Sequence, residues 1–264
     1  MNATFKNQVI CITGASSGIG EALLRELAKN PCTLFIAARS VDKLESLKQE
    51  LSNEQVKIHV LNLDLANAQS IEAAAEELKK NTDRLDLLIN NGGISQRGKA
   101  IETEFSVVRQ IMEVNFMGCI HWTSTCMPLL NKSKEARIIV TSSVVGHYGF
   151  PLRSAYAASK HALQGYFESM QLESEAPHVS IISPGRIQTD ISMHALDASG
   201  KAHGEKDPGQ LNGIPAKTAA KKILEGSLKK KKDIFIGRGE IFLIYLHRYL
   251  PFLFRIIAKK VSAT

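Results

Sequence analysis

Short runs of β-branched and aliphatic residues alternate along the chain with longer helical stretches. The runs predict strands at Val9–Thr13, Thr33–Ala37, Val56–Leu61, Leu85–Asn90, Arg137–Thr141, Val179–Ser183 and Asp233–Ile236. The stretches between them predict helices over Gly20–Lys29, Asp42–Leu51, Ser70–Lys80, Glu104–Leu130, Ala155–Glu175 and Ala216–Lys230. Strands regularly followed by helices imply a parallel sheet covered on both faces. Seven such strands fit a single doubly wound α/β domain of Rossmann type over residues 1–264. Two segments break the alternation. Residues 190–214 mix Asp, Gly, His, Lys and Pro with little periodicity, and a lid loop is expected there. Beyond the last strand, at about 238–264, an apolar extension is interrupted by Arg238, Glu240, His247, Arg248 and Arg255. That spacing suits a pair of interfacial helices better than a spanning one.

Composition narrows the picture. With 264 residues, 44% hydrophobic and 22% charged, the chain is an ordinary globular protein. Its four cysteines form no CxxC pair, which argues against a zinc ribbon or a disulfide scaffold and for a reducing compartment, the cytoplasm. His121, His178, His194 and His203 lack metal-ligand spacing, so no metal is expected. The net charge of +7 suits phosphates, nucleic acid or an anionic membrane equally. No aromatic platform or recognised module supports nucleic acid. The run Lys229–Lys232 reads as a solvated helix end. The apolar run near the N-terminus is too short for a secretory signal, and no stretch reaches the length of an uninterrupted membrane span.

The strongest local signal is Thr13-Gly14-Ala15-Ser16-Ser17-Gly18-Ile19-Gly20, after a predicted strand and opening a predicted helix. Glycines let such a turn approach a pyrophosphate, and the helix N-terminus offers free N–H groups to it. The turn with Gly14, Ser16, Ser17, Gly18, Ile19 and Gly20 is therefore a candidate dinucleotide site. The second strand ends at Arg39, where an acidic residue would favour NAD. A cation there suits the 2′-phosphate of NADP(H). Asp64, with Leu65 beside it, follows the third strand and is placed to accept from an adenine amino group. It equally suits a helix N-terminus. Tyr156 and Lys160 are four residues apart and share a helix face. A nearby ammonium and a cationic nicotinamide would favour the phenolate, so the pair can exchange a proton with a carbonyl or alcohol oxygen.

Taken together these motifs resemble the short-chain dehydrogenase/reductase family, over roughly Lys6 to Gly237. The family's Thr-Gly-x-x-x-Gly-x-Gly corresponds to Thr13–Gly20. Its Asn-Asn-Ala-Gly appears as Asn90-Asn91-Gly92-Gly93, with glycine in place of alanine, and its helix-four asparagine is Asn115. The catalytic serine matches Ser143 on spacing to Tyr156, with Ser142 adjacent. The Pro-Gly after the sixth strand is Pro184-Gly185, followed by Ile187 and Thr189. The run Asn90–Arg97 is similar to the member-seven group of vertebrate dehydrogenase/reductases, relatives of 11β-hydroxysteroid dehydrogenase that generally carry an N-terminal membrane anchor. This sequence opens just before its first strand, and no anchor is expected in it.

The resemblance implies roles. Tyr156 would act as general acid or base, Lys160 would lower its pKa and hold the nicotinamide ribose, and Ser143 would bind the substrate oxygen. Asn115 would hold a water in a proton relay. Asn91, Gly92 and Gly93 would lie against the cofactor, and Ile187 and Thr189 would hold the carboxamide. Ser95, Ser143, Val145, His147 and Tyr148 are candidates for the substrate pocket. The leading expectation is an NADP(H)-dependent oxidoreductase acting on a lipophilic carbonyl or secondary alcohol. A 3-ketoacyl thioester reductase and a non-catalytic cofactor sensor are the alternatives. A homodimer or homotetramer is expected through the helices of 104–130 and 155–175. The tail is expected at a subunit interface or over the pocket. Lipid docking is a second reading, favoured by the basic flank Arg255, Lys259 and Lys260.

Overall fold

A computed structural model describes residues 4–175, 177–205 and 207–260. Residues 1–3 and 261–264 of the expected domain, and Lys206 in the expected lid, lie outside the described residues. So do the side chains of Lys259 and Lys260 on the expected basic flank. In chain order the elements are β1 (Val9–Thr13), α1 (Gly18–Leu27), β2 (Cys32–Ala38), α2 (Val41–Leu51), β3 (Val56–Asn62), α3 (Ala68–Asn81) and β4 (Leu87–Asn90). Then come α4 (Phe105–Met112), α5 (Gly118–Leu130), β5 (Arg137–Thr141), α6 (Ser154–Leu172) and β6 (His178–Pro184). The chain continues through β7 (Ile187–Gln188), α7 (Pro208–Leu211), β8 (Ile214–Pro215), α8 (Ala216–Leu228), β9 (Asp233–Ile236), α9 (Gly239–Tyr249) and α10 (Pro251–Lys260).

Seven strands form one parallel sheet in the order β3-β2-β1-β4-β5-β6-β9, as the alternating pattern predicts. Successive side chains of a strand point to opposite faces. In β1, Ile10 and Ile12 pack with Leu23, Leu24 and Leu27 of α1 and Ile223 of α8. Cys11 points the other way, into a layer holding Trp122 of α5 and Leu163 and Phe167 of α6. All of these side chains are buried, which is why the strands read as continuous apolar runs.

Three regions take shapes that the strand–helix alternation leaves open. The helix expected over 104–130 is two helices joined by a single π turn, Glu113–Met117. A π turn inserts one extra residue, so α4 and α5 present different faces to the sheet. The expected lid segment is held by pairings along its length. Leu196 bridges to Gln96 and to Ala202, Ile187 pairs with Ile214, and α7 lies within it. The tail folds as a helical hairpin whose Ile244, Leu246, Phe254 and Ala258 close on Val144 and Tyr148. Its outer side exposes Phe242, Tyr249, Leu250 and Phe252. No helix among the described residues is long and apolar enough to cross a membrane.

The π turn ends where α5 meets the loop after β3. A methyl group on Gly118 would lie 1.9 Å from the Leu65 carbonyl oxygen, whereas one on Gly149 would meet nothing within 4 Å. Gly118→Ala is expected to cost about 1–3 kcal/mol by overpacking. Gly149→Ala should stay within about 0.5 kcal/mol of wild type. Urea unfolding of the two variants checks the difference.

Candidate active site

One cleft of about 1040 Å³ runs along the carboxyl ends of the central strands. At one end β1 delivers the glycine turn. Gly14 and Gly18 have φ of +66° and +58°, in the left-handed region that favours glycine. Gly20 does not line the cleft. Its Cβ would stand 2.1 Å from the Gly14 carbonyl oxygen, so its work is to let α1 close onto the turn. No side chain caps the start of α1, which leaves first-turn amides available to a phosphate. Ser16, Ser17 and Ile19 also line this end.

The turn is stitched to the neighbouring strand end. Thr13 Oγ1 accepts from the N–H groups of Asn91 (3.1 Å) and Gly92 (3.0 Å). Asn91 Nδ2 lies 3.3 Å from each of the Thr13 and Gly14 carbonyl oxygens. At Gly92, the departure from the family motif, a Cβ would lie 2.8 Å from Leu65 Cδ1, the movable end of that side chain. Gly93, Asp64 and Leu65 complete this wall, with Asp64 Oδ1 accepting from Ala66 N at 3.0 Å. Thr189 sits against Gly18, and Pro184, Gly185 and Ile187 line the opposite wall. Arg39 is exposed at the rim and has no ion-pair partner among the described residues. Lys43, one turn into α2, lies on the same rim. Sequence reasoning missed it, although Arg39-Ser40-x-x-Lys43 puts both cations at the start of one helix.

At the middle of the cleft, α6 brings Tyr156 and Lys160 beside Ser143, two residues beyond the end of β5. Lys160 Nζ donates to the Thr141 carbonyl (2.8 Å) and lies 5.6 Å from the Tyr156 ring centroid. Ser143 Oγ donates to the Pro184 carbonyl (3.4 Å) and accepts from Val145 N (3.3 Å), whereas Ser142 Oγ donates to the Lys160 carbonyl (3.2 Å). Asn115 stands behind the wall. Its Oδ1 accepts from Ile94 N (2.8 Å), and its Nδ2 donates to Ile94 O (2.9 Å) and Ser159 Oγ (3.0 Å). The π turn is what aims it there.

The remaining substrate candidates divide. Ser95, Val145 and Tyr148 line the cleft, joined by Phe150 and by Leu243 of the tail. His147 does not. Its Nε2 accepts from Gln164 Nε2 (2.8 Å) and lies 2.9 Å from Ser183 Oγ, on the sheet side. The tail reaches further in than the sequence suggests. Glu240 accepts from Arg186 N (2.8 Å), and a Cβ on Gly185 would strike its Oε1 at 2.2 Å.

Burial dominates the electrostatics. It raises the Tyr156 phenol above its ordinary value; the Arg153 guanidinium and then the Ser143 hydrogen bond pull it back. Burial lowers Lys160 to about 8 and pushes Cys119 beside it up to about 12. The unfolded chain holds the Lys160 proton more tightly, so the buried ammonium costs stability below pH 8. That cost fades as pH climbs from about 8 into the ordinary lysine range. Lys160→Met is expected to stabilise the protein at pH 7 by at most about 3 kcal/mol, less the lost Thr141 bond. The gain should shrink by about pH 10. Thermal melts of both proteins at the two pH values check this.

A family model described as short chain dehydrogenase matches residues 8–199. The Anopheles gambiae dehydrogenase/reductase SDR family protein 7-like is 38% identical over 87% of this chain and 75% of its own. The Danio rerio dehydrogenase/reductase SDR family member 7B is 35% identical over 97% and 86%. An alcohol dehydrogenase from the archaeon Thermococcus sibiricus, complexed with 5-hydroxy-NADP, superposes with a TM-score of 0.76. It is 26% identical and covers 88% of this chain and 97% of its own. A short chain dehydrogenase/reductase from Burkholderia phymatum in complex with NAD reaches 0.81 at 21% identity, covering 99% and 98%, and speaks for the fold alone. The relatives carry the member-seven names that the Asn90–Arg97 run resembles. With the model match running from before the glycine turn into the lid segment, this protein belongs to the short-chain dehydrogenase/reductase family, oxidoreductases that use a nicotinamide cofactor.

Proposed function

We propose that the protein is an NADP(H)-dependent oxidoreductase that interconverts a lipophilic carbonyl compound and its secondary alcohol. The observation that carries the reading is the convergence of Ser143, Tyr156 and Lys160 in a cleft whose far end is the glycine turn. The nicotinamide, when bound, supplies or accepts the hydride. Tyr156 Oη hands a proton to the substrate oxygen in reduction and takes it back in oxidation. Ser143 Oγ donates to the same oxygen and stabilises its developing charge. Lys160 holds positive charge beside the phenol, and Asn115 anchors the Ile94 backbone next to it as part of the proton relay.

Preference for NADP(H) is supported by Arg39 and Lys43 sharing the rim where a 2′-phosphate would sit, with no acidic residue at the end of β2. A lipophilic substrate is supported by the apolar wall of Val145, Tyr148, Phe150 and Leu243. Assembly into a homo-oligomer is supported by Phe105, Met117 and Tyr166, which are exposed on α4, the π turn and α6.

NADPH oxidation with a panel of hydrophobic ketones, aldehydes, quinones and a 3-ketoacyl thioester tests the reading. Tyr156→Phe is expected to lose about a hundredfold or more in kcat/KM. Turnover that survives in this variant would remove Tyr156 from the proposed role. Wild type that binds NADPH but reduces nothing on the panel would favour a sensor instead. Arg39→Ala should raise KM for NADPH about tenfold or more and leave KM for NADH nearly unchanged. Equal effects on both cofactors would sink the assignment of Arg39.

A further inference from the structure

The hairpin of α9 and α10 has two sides. One packs on the body of the protein, with Ile244 and Leu246 of α9 and Phe254 and Ala258 of α10 buried. The other is apolar and faces water. On α9, Phe242, Tyr245 and Tyr249 recur at steps of three and four, which sets them along one side of the helix. On α10, Phe252 and Ile256 stand one turn apart, and Leu253 is exposed beside them. Tyr249, Leu250 and Phe252 are 71%, 56% and 77% exposed, so the two outward sides meet around the turn. Large apolar side chains grouped in this way mark an interaction site, whereas single exposed ones are ordinary.

The charges on this surface select the occupant. Arg248 follows Tyr245 by three residues, Arg255 follows Phe252 by three, and both are exposed. Neither forms an ion pair among the described residues. Arg238, exposed at the start of α9, reaches only the Asn212 carbonyl, at 3.4 Å. Glu240 is the only acidic residue in 238–264, and it turns inward to accept from Arg186 N at 2.8 Å. The outward side therefore mixes aromatic, aliphatic and cationic groups with no anion of its own. A second copy docked about a two-fold axis would lay this patch on itself, and its arginines would meet like charge with nothing to neutralise them. An anionic lipid surface answers both halves of the pattern. Aromatic and aliphatic side chains enter the headgroup layer, and arginines bind the charged headgroups.

We propose that the outward side of the α9–α10 hairpin docks on an anionic lipid surface, with Phe242, Tyr249 and Phe252 entering the headgroup layer and Arg248 and Arg255 binding the headgroups. The docking is peripheral. The two helices have 11 and 10 residues, and a span takes about 20. Gly239, Glu240 and Leu243 of α9 line the cleft, so a docked chain holds the cleft next to the lipid. The proposal does not depend on the oxidoreductase reading.

The test is co-sedimentation of the full chain with vesicles of phosphatidylcholine, alone or mixed with phosphatidylserine, beside sedimentation velocity without lipid. Wild type is expected to bind the mixed vesicles about tenfold or more tightly than phosphatidylcholine alone, and added salt should weaken that binding. The double variant Tyr249→Ser/Phe252→Ser should bind the mixed vesicles about tenfold or more weakly. Arg248→Gln/Arg255→Gln should lose most of the preference for phosphatidylserine. Ile101→Ser removes an apolar side chain that is 94% exposed outside the hairpin, and it should bind as wild type does. Melting temperatures of all the variants should stay near wild type, because every replaced side chain is exposed. Failure of wild type to pellet with the mixed vesicles overturns the proposal. So does binding that is unchanged in both double variants, or lost equally in Ile101→Ser. Wild type that ignores vesicles, with a double variant that breaks up its oligomer, gives the surface to a second copy and overturns the proposal. If Tyr249→Ser/Phe252→Ser does not fold, the arginine variant decides, and an undiminished preference for phosphatidylserine overturns the proposal.

Discussion

The site depends on one topological constraint, the reversal of strand order between β1 and β4. From β1 the chain builds outward to β2 and β3, then crosses back and builds the other way through β4, β5 and β6. Connections that leave adjacent strands in opposite directions cannot cover the gap between those strands. The gap is the cleft. Thr13 and Asn91 tie its two lips by hydrogen bonds between the end of β1 and the loop after β4, so the glycine turn and the wall carrying Gly92 and Gly93 hold a fixed spacing. Everything proposed for the cofactor relies on that spacing.

Around Tyr156 and Lys160, stability is exchanged for charge. Lys160 is held nearly out of water by the Thr141 carbonyl, and burial works against its ammonium. Arg97, Arg153 and Asp207 add a second buried set on the substrate side. Low exposure makes each charge felt at longer range. The fold supports these costs with two apolar layers, one on each face of the sheet, whose largest members are fully buried.

The end of the cleft proposed for substrate is built by parts distant in sequence. Tyr148 is packed by Phe254 at 5.1 Å between ring centroids, and Leu243 of the same hairpin lines the cleft. Glu240 reaches back to the loop after β6. The tail therefore shapes the pocket wall with one side while its other side exposes Phe242, Tyr249 and Phe252.

The sequence alone determined the fold class, the strand positions and the motifs, because each is a local pattern: apolar runs, a glycine spacing, Tyr and Lys one helical turn apart. Hydrogen-bond periodicity and backbone sterics impose those patterns within a dozen residues of chain. Tertiary structure decided what lies between distant segments. The π turn that aims Asn115 has no spacing signature in 104–130. His147 follows the serine motif yet turns to Gln164 and Ser183 rather than to the cleft. Lys43 acquires its place only because α2 starts at the rim beside Arg39. Asp207, 54 residues from Arg153 and 110 from Arg97, meets both only after the lid segment packs down. Such pairings depend on which surfaces the sheet brings together, and a linear pattern carries no record of that.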